Sequence, residues 1–212
     1  MPPKFSIVMP CYLGAYKQAG SDRERKLVRA VNSVLNQNYG HETELVIVAD
    51  GCERTQEIIR GAYPHELSHG VITLLAIPKQ RPFSGVVRNK GIEVATGDYI
   101  AYLDSDDVMG PNHLATIDDH LNGYDWVFFN DLIWNRNGQF EERTCTIKQY
   151  DCGTSNIAHQ RRMQSRWKAH SGYGRDDWDF ITALRHESQN WAKIPTPEYI
   201  VCHIPLKTGY DL

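Results

Sequence analysis

Short apolar runs alternate with helical stretches through the first half of the chain. The runs at residues 5–10, 44–50, 71–77 and 99–103 are almost wholly apolar, which is typical of strands buried on both faces of a sheet. Strands that alternate with helices at this spacing favour a parallel sheet with helices on both faces. We therefore predict an α/β fold with a single mixed, mostly parallel central sheet flanked by helices.

Apolar residues at helical spacing fill the intervals between these strands. The clearest predicted helix carries Leu27, Ala30 and Val31, begins at a capping box of Ser21 and Glu24, and ends near residues 38–40. The other predicted helices lie at residues 55–62, in a short segment ended by Gly97, at residues 111–121, and after Asp176.

The regular alternation ends at about Asn130. A further apolar strand is predicted at residues 124–130, and Asn137 followed by Gly138 is a strong hairpin signal. Two strand-like runs, NWAKIP and EYIVCHI, close the chain. The second part is therefore predicted to have a mixed topology.

Composition restricts the class of protein. A chain of 212 residues fits one large domain. The net charge of −3, with both signs interspersed, argues against a nucleic-acid binder and favours small-molecule partners. Five scattered cysteines without a CxxC pair favour a reducing compartment, so we expect a soluble, cytoplasmic protein. No apolar stretch is long enough to span a bilayer.

Three carboxylates follow directly on the fourth predicted strand. Asp104, Asp106 and Asp107 are crowded enough to favour a bound cation, although an acidic turn before a helix that opens at Pro111 is the plain alternative. Ligands lie beyond the carboxyl ends of parallel strands, where Tyr12, Asp50 and Asp104 would converge. The segment after the first strand, CYLGAYKQAG, matches neither a dinucleotide-binding loop nor a P-loop.

Two other groups of charged residues are candidates for chemistry. Arg88 and Lys90 stand near the start of a short predicted helix, where cations oppose the helix dipole; they are either exposed basic residues or partners of an anion. Asp176 and Asp177 fall in the first turn of a later helix. Helix capping is enough to explain Asp176, but it explains Asp177 less well.

These segments occur in an order that resembles a known enzyme family. FSIVMPCY, VADGCERT, VVRNKGIEVATGDYIAYLDSDD and GRDDWDF together resemble the inverting glycosyltransferases of family 2, which have the GT-A fold. The third segment is the most specific, because an ARNxGI-like stretch, a glycine-ended helix and a strand running into a DxD motif are consecutive there. The resemblance implies one GT-A domain over residues 1–212, with a nucleotide-binding half at 1–107 and an acceptor and catalytic half at 108–212.

The resemblance also implies a donor pocket and a metal site. Asp106 would bind a divalent cation bridging two phosphates, Asp104 and His203 are further candidate ligands, and Mn²⁺ or Mg²⁺ is the expected ion. Asp50 would accept a hydrogen bond from a uracil ring. The residues implied to contact the donor are Pro10, Cys11, Tyr12, Asp50, Arg88, Asp104 and Ser105.

The implied reaction moves a hexose from a UDP-sugar, by default UDP-glucose, to an acceptor hydroxyl of a glycan or glycoprotein. Asp177 would be the catalytic base, with Asp176 as the other candidate because AspAsp stands here in place of GluAsp. One alternative is a binding module that kept the fold and lost turnover. Another is a sugar-1-phosphate nucleotidyltransferase, which would need a glycine-rich basic loop after the first strand.

Overall fold

The computed structural model describes residues 4–15, 22–80, 84–121, 123–134, 137, 139–168 and 175–202. Within these ranges the strands are β1 (Phe5–Cys11), β2 (Thr43–Asp50), β3 (Ile72–Ile77), β4 (Tyr99–Tyr102), β5 (Val108–Met109), β6 (Trp126–Phe129), β7 (Asp131–Trp134), β8 (Phe140–Arg143), β9 (Ile157–Gln160), β10 (Trp191–Ile194) and β11 (Tyr199–Val201). The helices are α1 (Arg23–Leu35), α2 (Glu53–Ala62), α3 (Pro64–Ser68), α4 (Gly85–Val94), α5 (His113–Leu121) and α6 (Arg175–Glu187).

A seven-stranded sheet with the order β10-β6-β9-β4-β1-β2-β3 forms the centre of the molecule. All neighbouring strands are parallel except β9, which runs antiparallel to both β4 and β6. The predicted α/β fold with a mixed, mostly parallel central sheet is therefore confirmed. The sequence did not predict β9, because only two of its four residues, Ile157 and Ala158, are apolar, so it lacks the apolar run that marks the other strands.

A second sheet of four strands, β5-β11-β7-β8, lies beside the central one. Its β7–β8 pair is antiparallel, with Asn137 between the strands, which confirms the predicted hairpin; Gly138 lies outside the described residues. The same sheet joins β5, directly after the acidic segment, to β11 near the end of the described chain. This pairing ties the two ends of the second half together at the acidic segment.

Apolar residues cover both faces of the central sheet. Along β1, Ile7 and Met9 belong to one buried cluster and Val8 to another, because successive side chains of a strand point to opposite faces. The first cluster includes the apolar stripe of α1, and the second includes Trp167 and Phe180. No helix among the described residues is long and apolar enough to cross a membrane.

Several predicted helix boundaries differ from the structure: α1 ends at Leu35 and not near residues 38–40, α2 begins at Glu53 and not at residue 55, and α5 begins at His113 and not at Pro111. Helix α1 begins after Asp22, and the Glu24 carboxylate accepts hydrogen bonds from Arg54 instead of acting in a capping box; Ser21 lies outside the described residues. Helix α4 ends at Val94, three residues before Gly97, so the prediction that this glycine ends the helix is wrong. The N–H of Gly97 donates to the hydroxyl of Ser6, and a Cβ added to Gly97 would lie 2.6 Å from that oxygen.

We predict opposite effects from adding a methyl group to two helical glycines. A Cβ on Gly91 would lie 2.4 Å from Cγ1 of the buried, β-branched Val8, whereas a Cβ on Gly61 would meet no atom within 4 Å. Gly91→Ala should lower the free energy of unfolding by about 1–2 kcal/mol, because overpacking outweighs the gain in helix propensity. The matched Gly61→Ala should raise it by about 0.5–1 kcal/mol. Urea denaturation measures both, and equal effects would contradict the packing argument.

Two buried histidines predict acid lability. Burial lowers the pKa of His113 from 6.5 to about 3 and that of His159 to about 4. Both rings are neutral in either state above about pH 6.5; below it the unfolded chain takes up protons that the folded chain refuses, so stability is lost as the pH falls. Each histidine should remove about 1 kcal/mol of unfolding free energy between pH 6 and pH 5.

Urea denaturation across this pH range checks the prediction. In His113→Phe the loss of unfolding free energy between pH 6 and pH 5 should be smaller by the contribution of one histidine. Phenylalanine preserves the edge-to-face contact with Phe129 and cannot take up a proton. A variant profile as steep as that of the unchanged chain would count against His113 as a source of the acid lability.

Candidate active site

The carboxyl ends of four neighbouring parallel strands, β4, β1, β2 and β3, meet at one edge of the central sheet. Cys11, the last residue of β1, is paired in register with Ala49, and Asp50 at the end of β2 is paired with Ile77. Strand β4 runs parallel to β1, and Asp104 follows it by two residues. The register therefore brings the strand ends that carry the predicted donor-binding residues to the same edge, as the sequence predicts.

Lys79 connects Asp50 with Tyr12 at this edge. The Lys79 ammonium is 2.5 Å from one carboxylate oxygen of Asp50, and the backbone N–H of Gln80 donates to the other at 2.6 Å. The same ammonium lies 3.7 Å from the centroid of the Tyr12 ring. Because the Asp50 side chain is only 7% exposed, these contacts hold its carboxylate in one orientation. Lys79 belongs to no motif in the sequence, although its position just after β3 is a strand-end signal.

Arg88 is a buried cation that reaches across to the acidic segment. Its side chain is 6% exposed, one terminal nitrogen donates to Asp104 at 2.6 Å, and the other donates to the Ser84 hydroxyl at 2.5 Å. The Nε atom is buried without a hydrogen-bond partner among the described residues. The anionic partner anticipated for the positive charge of α4 is thus, in the first instance, the carboxylate of Asp104.

The two carboxylates in the first turn of α6 belong to the same charge cluster. Burial acts to lower the pKa of Arg88, but the carboxylates of Asp104, Asp177 and Asp176 outweigh it and keep the guanidinium charged. In turn, burial raises the pKa of Asp177, while Arg88 and the hydroxyl of Thr154, which donates to Asp177 Oδ1, act to lower it. The structure thus brings Asp177 into the field of Arg88 and Asp104, which are distant from it in sequence.

Asp107 differs from the other acidic residues because it is enclosed by protein. The Tyr199 hydroxyl donates to one of its oxygens at 2.9 Å, and the backbone N–H of Cys202 donates to the other at 2.7 Å. Burial, with the charges of Asp106 and Asp104, raises its pKa well above the ordinary value. Tyr199 also accepts the backbone N–H of Asp104 at 3.1 Å, so one tyrosine anchors both ends of the acidic segment.

Cys11 and Ser105 meet between β1 and the acidic segment. Burial raises the pKa of the Cys11 thiol to about 11, against hydrogen bonds from Thr55 and Ser105 that lower it. Pro10 is paired with Val48 inside the sheet, so β1 extends through this proline to Cys11. These predicted donor-binding residues therefore line the same edge of the sheet as Asp104.

The backbone of Asp106 contacts α1. Arg29 donates to its backbone carbonyl at 2.8 Å, and its negative charge acts to raise the pKa of Lys26, which burial lowers more strongly. The predicted ligand His203 lies outside the described residues. No group of three or more His, Cys, Asp or Glu residues within the described ranges could hold a metal ion.

The carboxylates present fit a metal ion whose remaining ligands come from a bound substrate. They do not fit an ion that is held by protein ligands alone. Mg²⁺ is commonly bound by one or two carboxylates together with substrate phosphates, and Asp104 and Asp106 supply oxygen atoms of that kind. Arg88 beside Asp104, and Lys26 near Asp106, also offset the negative charge of the segment. Crowding of the aspartates therefore does not by itself require a cation.

Sequence reasoning missed three residues that shape this site. Lys79 would follow from applying the strand-end rule to β3. Thr154 and Tyr199 carry no comparable signal, because each acts through a contact with a residue 23 or 92 positions away.

Comparisons with known proteins agree with this architecture. The sequence profile of "Glycosyl transferase family 2" matches residues 6–144. The minor teichoic acid biosynthesis protein GgaB of Bacillus subtilis (strain 168) is 31% identical over 128 residues, which are 58% of this chain and 13% of GgaB.

Solved structures show the same fold at low sequence identity. S. aureus TarS 1–349 in complex with UDP-GlcNAc has a TM-score of 0.70 and 16% identity, and the match covers 98% of this chain and 62% of TarS 1–349. The mannosyltransferase PcManGT from Pyrobaculum calidifontis, in complex with GDP-Man and Mn²⁺, has a TM-score of 0.65 and 14% identity, covering 95% of this chain and 57% of PcManGT. At these identities the likeness shows the fold alone, and it confirms the predicted GT-A type.

The chain spans less than two thirds of the length of these relatives. The family profile nevertheless covers well over half of the chain, including the four strand ends and the acidic segment described above. This chain therefore belongs to glycosyl transferase family 2.

Proposed function

We propose that this chain is an inverting glycosyltransferase that moves a hexose from a UDP-sugar to an acceptor hydroxyl. The observation that carries the proposal is the cluster of Asp104, Arg88 and Asp177 at the carboxyl edge of the sheet. It places a buried guanidinium and a raised-pKa carboxylate at one site. Transfer of a sugar to a hydroxyl can use both, the guanidinium to stabilise the departing anion and the carboxylate to accept a proton.

The donor nucleotide would lie along the strand ends. Tyr12 and Asp50, held together by Lys79, form a polar and aromatic wall suited to a base, with Pro10, Cys11 and Ser105 beside them. UDP is the nucleotide in the TarS complex, which supports UDP as the nucleotide here. UDP-glucose is the first donor to test, followed by UDP-GlcNAc.

Asp106 and Asp104 would hold the divalent ion with the phosphate oxygens of the donor. When bound, Mn²⁺ or Mg²⁺ would offset the negative charge that develops on the departing nucleotide diphosphate. Mn²⁺ in the PcManGT complex supports this assignment. His203 is a further candidate ligand, and an imidazole would favour Mn²⁺ over Mg²⁺. Arg88 would stabilise the same leaving group from the protein side.

Asp177 would take the proton from the acceptor hydroxyl. Its Oδ1 atom accepts from Thr154, so Oδ2 is the oxygen that would take the proton. Burial raises the pKa of Asp177, which makes it a stronger base than an exposed aspartate, while Arg88 keeps that rise in check. Asp176, buried in the same turn, is the alternative base. One base that acts from the side opposite the nucleotide leads to inversion.

This division of roles gives each half of the domain a task. Residues 1–107 would bind the nucleotide sugar, and residues 108–212 would supply the base and contact the acceptor, a glycan or glycoprotein. The acidic segment lies at the boundary, where Tyr199 from the second half anchors it.

Turnover of nucleotide sugars tests the proposal. The purified chain is incubated with UDP-glucose, UDP-GlcNAc or GDP-mannose, with and without Mn²⁺, and release of the nucleotide diphosphate is measured. We expect UDP release that depends on Mn²⁺ and inversion at the anomeric carbon of the product. Tight binding without release would favour the binding module, and formation of a UDP-sugar from UTP and a sugar 1-phosphate would favour a nucleotidyltransferase.

A further inference from the structure

Two exposed histidines lie side by side at the start of the segment that leads into β3. His65 and His69 are one helical turn apart around α3, and their ring centroids are 4.1 Å apart with 30° between the ring planes. The side chain of His65 is 75% exposed, and His69 is exposed as well. We propose that these two imidazoles form a bidentate surface site for a divalent transition-metal ion such as Zn²⁺, Ni²⁺ or Cu²⁺, independent of sugar transfer.

The hydrogen bonds of His69 leave the correct nitrogen available to a metal. Its Nδ1 atom is 2.9 Å from the backbone carbonyl oxygen of His65 and 3.1 Å from the hydroxyl of Ser68. A carbonyl can only accept, so Nδ1 carries the proton and Nε2 carries the lone pair. Metal-binding histidines commonly donate their second ring nitrogen to a carbonyl or carboxylate in this way, which fixes the tautomer and the orientation of the ring.

His65 is not fixed in the same way. The Nδ1 atom of His65 is 4.0 Å from a carboxylate oxygen of Glu66, which is too far for a hydrogen bond. This carboxylate therefore does not select the tautomer of His65, and either ring nitrogen can carry the lone pair. The Nε2 atom of His69 and one ring nitrogen of His65 would bind the same ion, at the usual zinc–nitrogen distance of about 2.0–2.1 Å.

The backbone beneath the histidines is held firmly. His69 N–H donates to the carbonyl of His65 at 3.1 Å, and Val71 N–H donates to that of Glu66 at 2.9 Å. The side chain of Leu67 packs against the apolar cluster that includes α1. Binding therefore needs to order only the side chains, because the fold already holds the backbone at the required spacing.

The spacing HELSH matches the HExxH pattern of zinc hydrolases, but the surroundings do not. Helix α3 has five residues, and among the residues that the structure describes no third His, Cys, Asp or Glu joins the pair to complete a metal-binding group. Water would fill the remaining coordination positions. The pair precedes β3, whereas Lys79 follows it, so a strand of about 20 Å separates this site from the donor edge.

Electron paramagnetic resonance of bound Cu²⁺ tests the site directly, because the spectrum reports the nitrogen ligands of the ion. Cu²⁺ is chosen because it binds such ligands most tightly among the first-row divalent ions. One equivalent of Cu²⁺ is added to the metal-free chain, and Zn²⁺ binding is measured in parallel by calorimetry. We expect two imidazole nitrogens on Cu²⁺ in the unchanged chain and at most one in His65→Gln or His69→Gln. Zn²⁺ affinity should fall at least about tenfold in either variant.

His186→Gln is the matched control, since His186 is an exposed histidine in the last turn of α6. It should leave both the spectrum and the Zn²⁺ affinity unchanged. The proposal would be overturned if His65→Gln and His69→Gln bound both ions as the unchanged chain does, or if His186→Gln lost as much affinity as they do. These readouts require no turnover, so they do not depend on the proposed sugar transfer.

Discussion

Asp177→Asn is expected to lower the rate of sugar transfer by about 10²–10⁴-fold, the usual contribution of a positioned general base. Asparagine retains the size of the side chain and can still accept from Thr154, so the fold and donor binding should change little. The loss should therefore appear in kcat, with the donor KM nearly unchanged, in steady-state kinetics with the active nucleotide sugar.

Asp176→Asn is the matched control, one residue earlier in the same helical turn. It should retain most of the turnover, because the Thr154 hydroxyl orients the carboxylate of Asp177. A larger loss in Asp176→Asn than in Asp177→Asn would reverse the assignment of the base. Equal and small losses in both would contradict general-base catalysis from this turn.

Arg88→Met should remove most of the turnover and also destabilise the fold. The substitution leaves the carboxylates of Asp104 and Asp177 without their shared buried cation, and truncating one partner of such a pair costs about 3 kcal/mol. The exposure of the Asp104 side chain, 37%, places the expected loss at the lower end of the range for buried pairs. Urea denaturation measures the stability, and nucleotide release measures the turnover.

The pH profile separates loss of the charge from loss of folding. Arg88 lowers the pKa of Asp177, so removing it should raise that pKa further and move the acidic limb of the kcat profile to higher pH. Arg88→Lys retains the positive charge but loses the two guanidinium nitrogens that contact Asp104 and Ser84. The acidic limb of the kcat profile should therefore move less in Arg88→Lys than in Arg88→Met. An unshifted limb in Arg88→Met would show that this guanidinium does not act on the base.

Much of the site could be predicted because it depends on local signals. Apolar runs locate the strands, and the strand-end rule then brings Tyr12, Asp50 and Asp104 to one edge without any knowledge of the contacts between them. The glycine-ended helix was predicted with the wrong end, since Gly97 serves a close approach to Ser6 and not a helix cap. Propensity alone does not distinguish these two uses of glycine.

The charge state of the crowded aspartates was not predictable from their spacing. In the sequence Asp104, Asp106 and Asp107 stand only beside one another, with no cation next to them. In the folded chain Asp104 pairs with Arg88, and Asp107 is enclosed by the Tyr199 hydroxyl and a backbone N–H. Such partners come from other elements, so the electrostatic state of each carboxylate could not be deduced from the acidic segment alone.

By itself, the sequence determined the alternation of strands and helices in the first half, the mixed α/β class, the family resemblance and the edge where the polar residues gather. These follow from periodicities and motifs that span only a few residues. Only the tertiary structure decided that β9 enters the central sheet antiparallel, that β5 pairs with β11, and that Lys79, Thr154 and Tyr199 orient the carboxylates. Those contacts join residues far apart in the chain, and packing of the whole domain selects them.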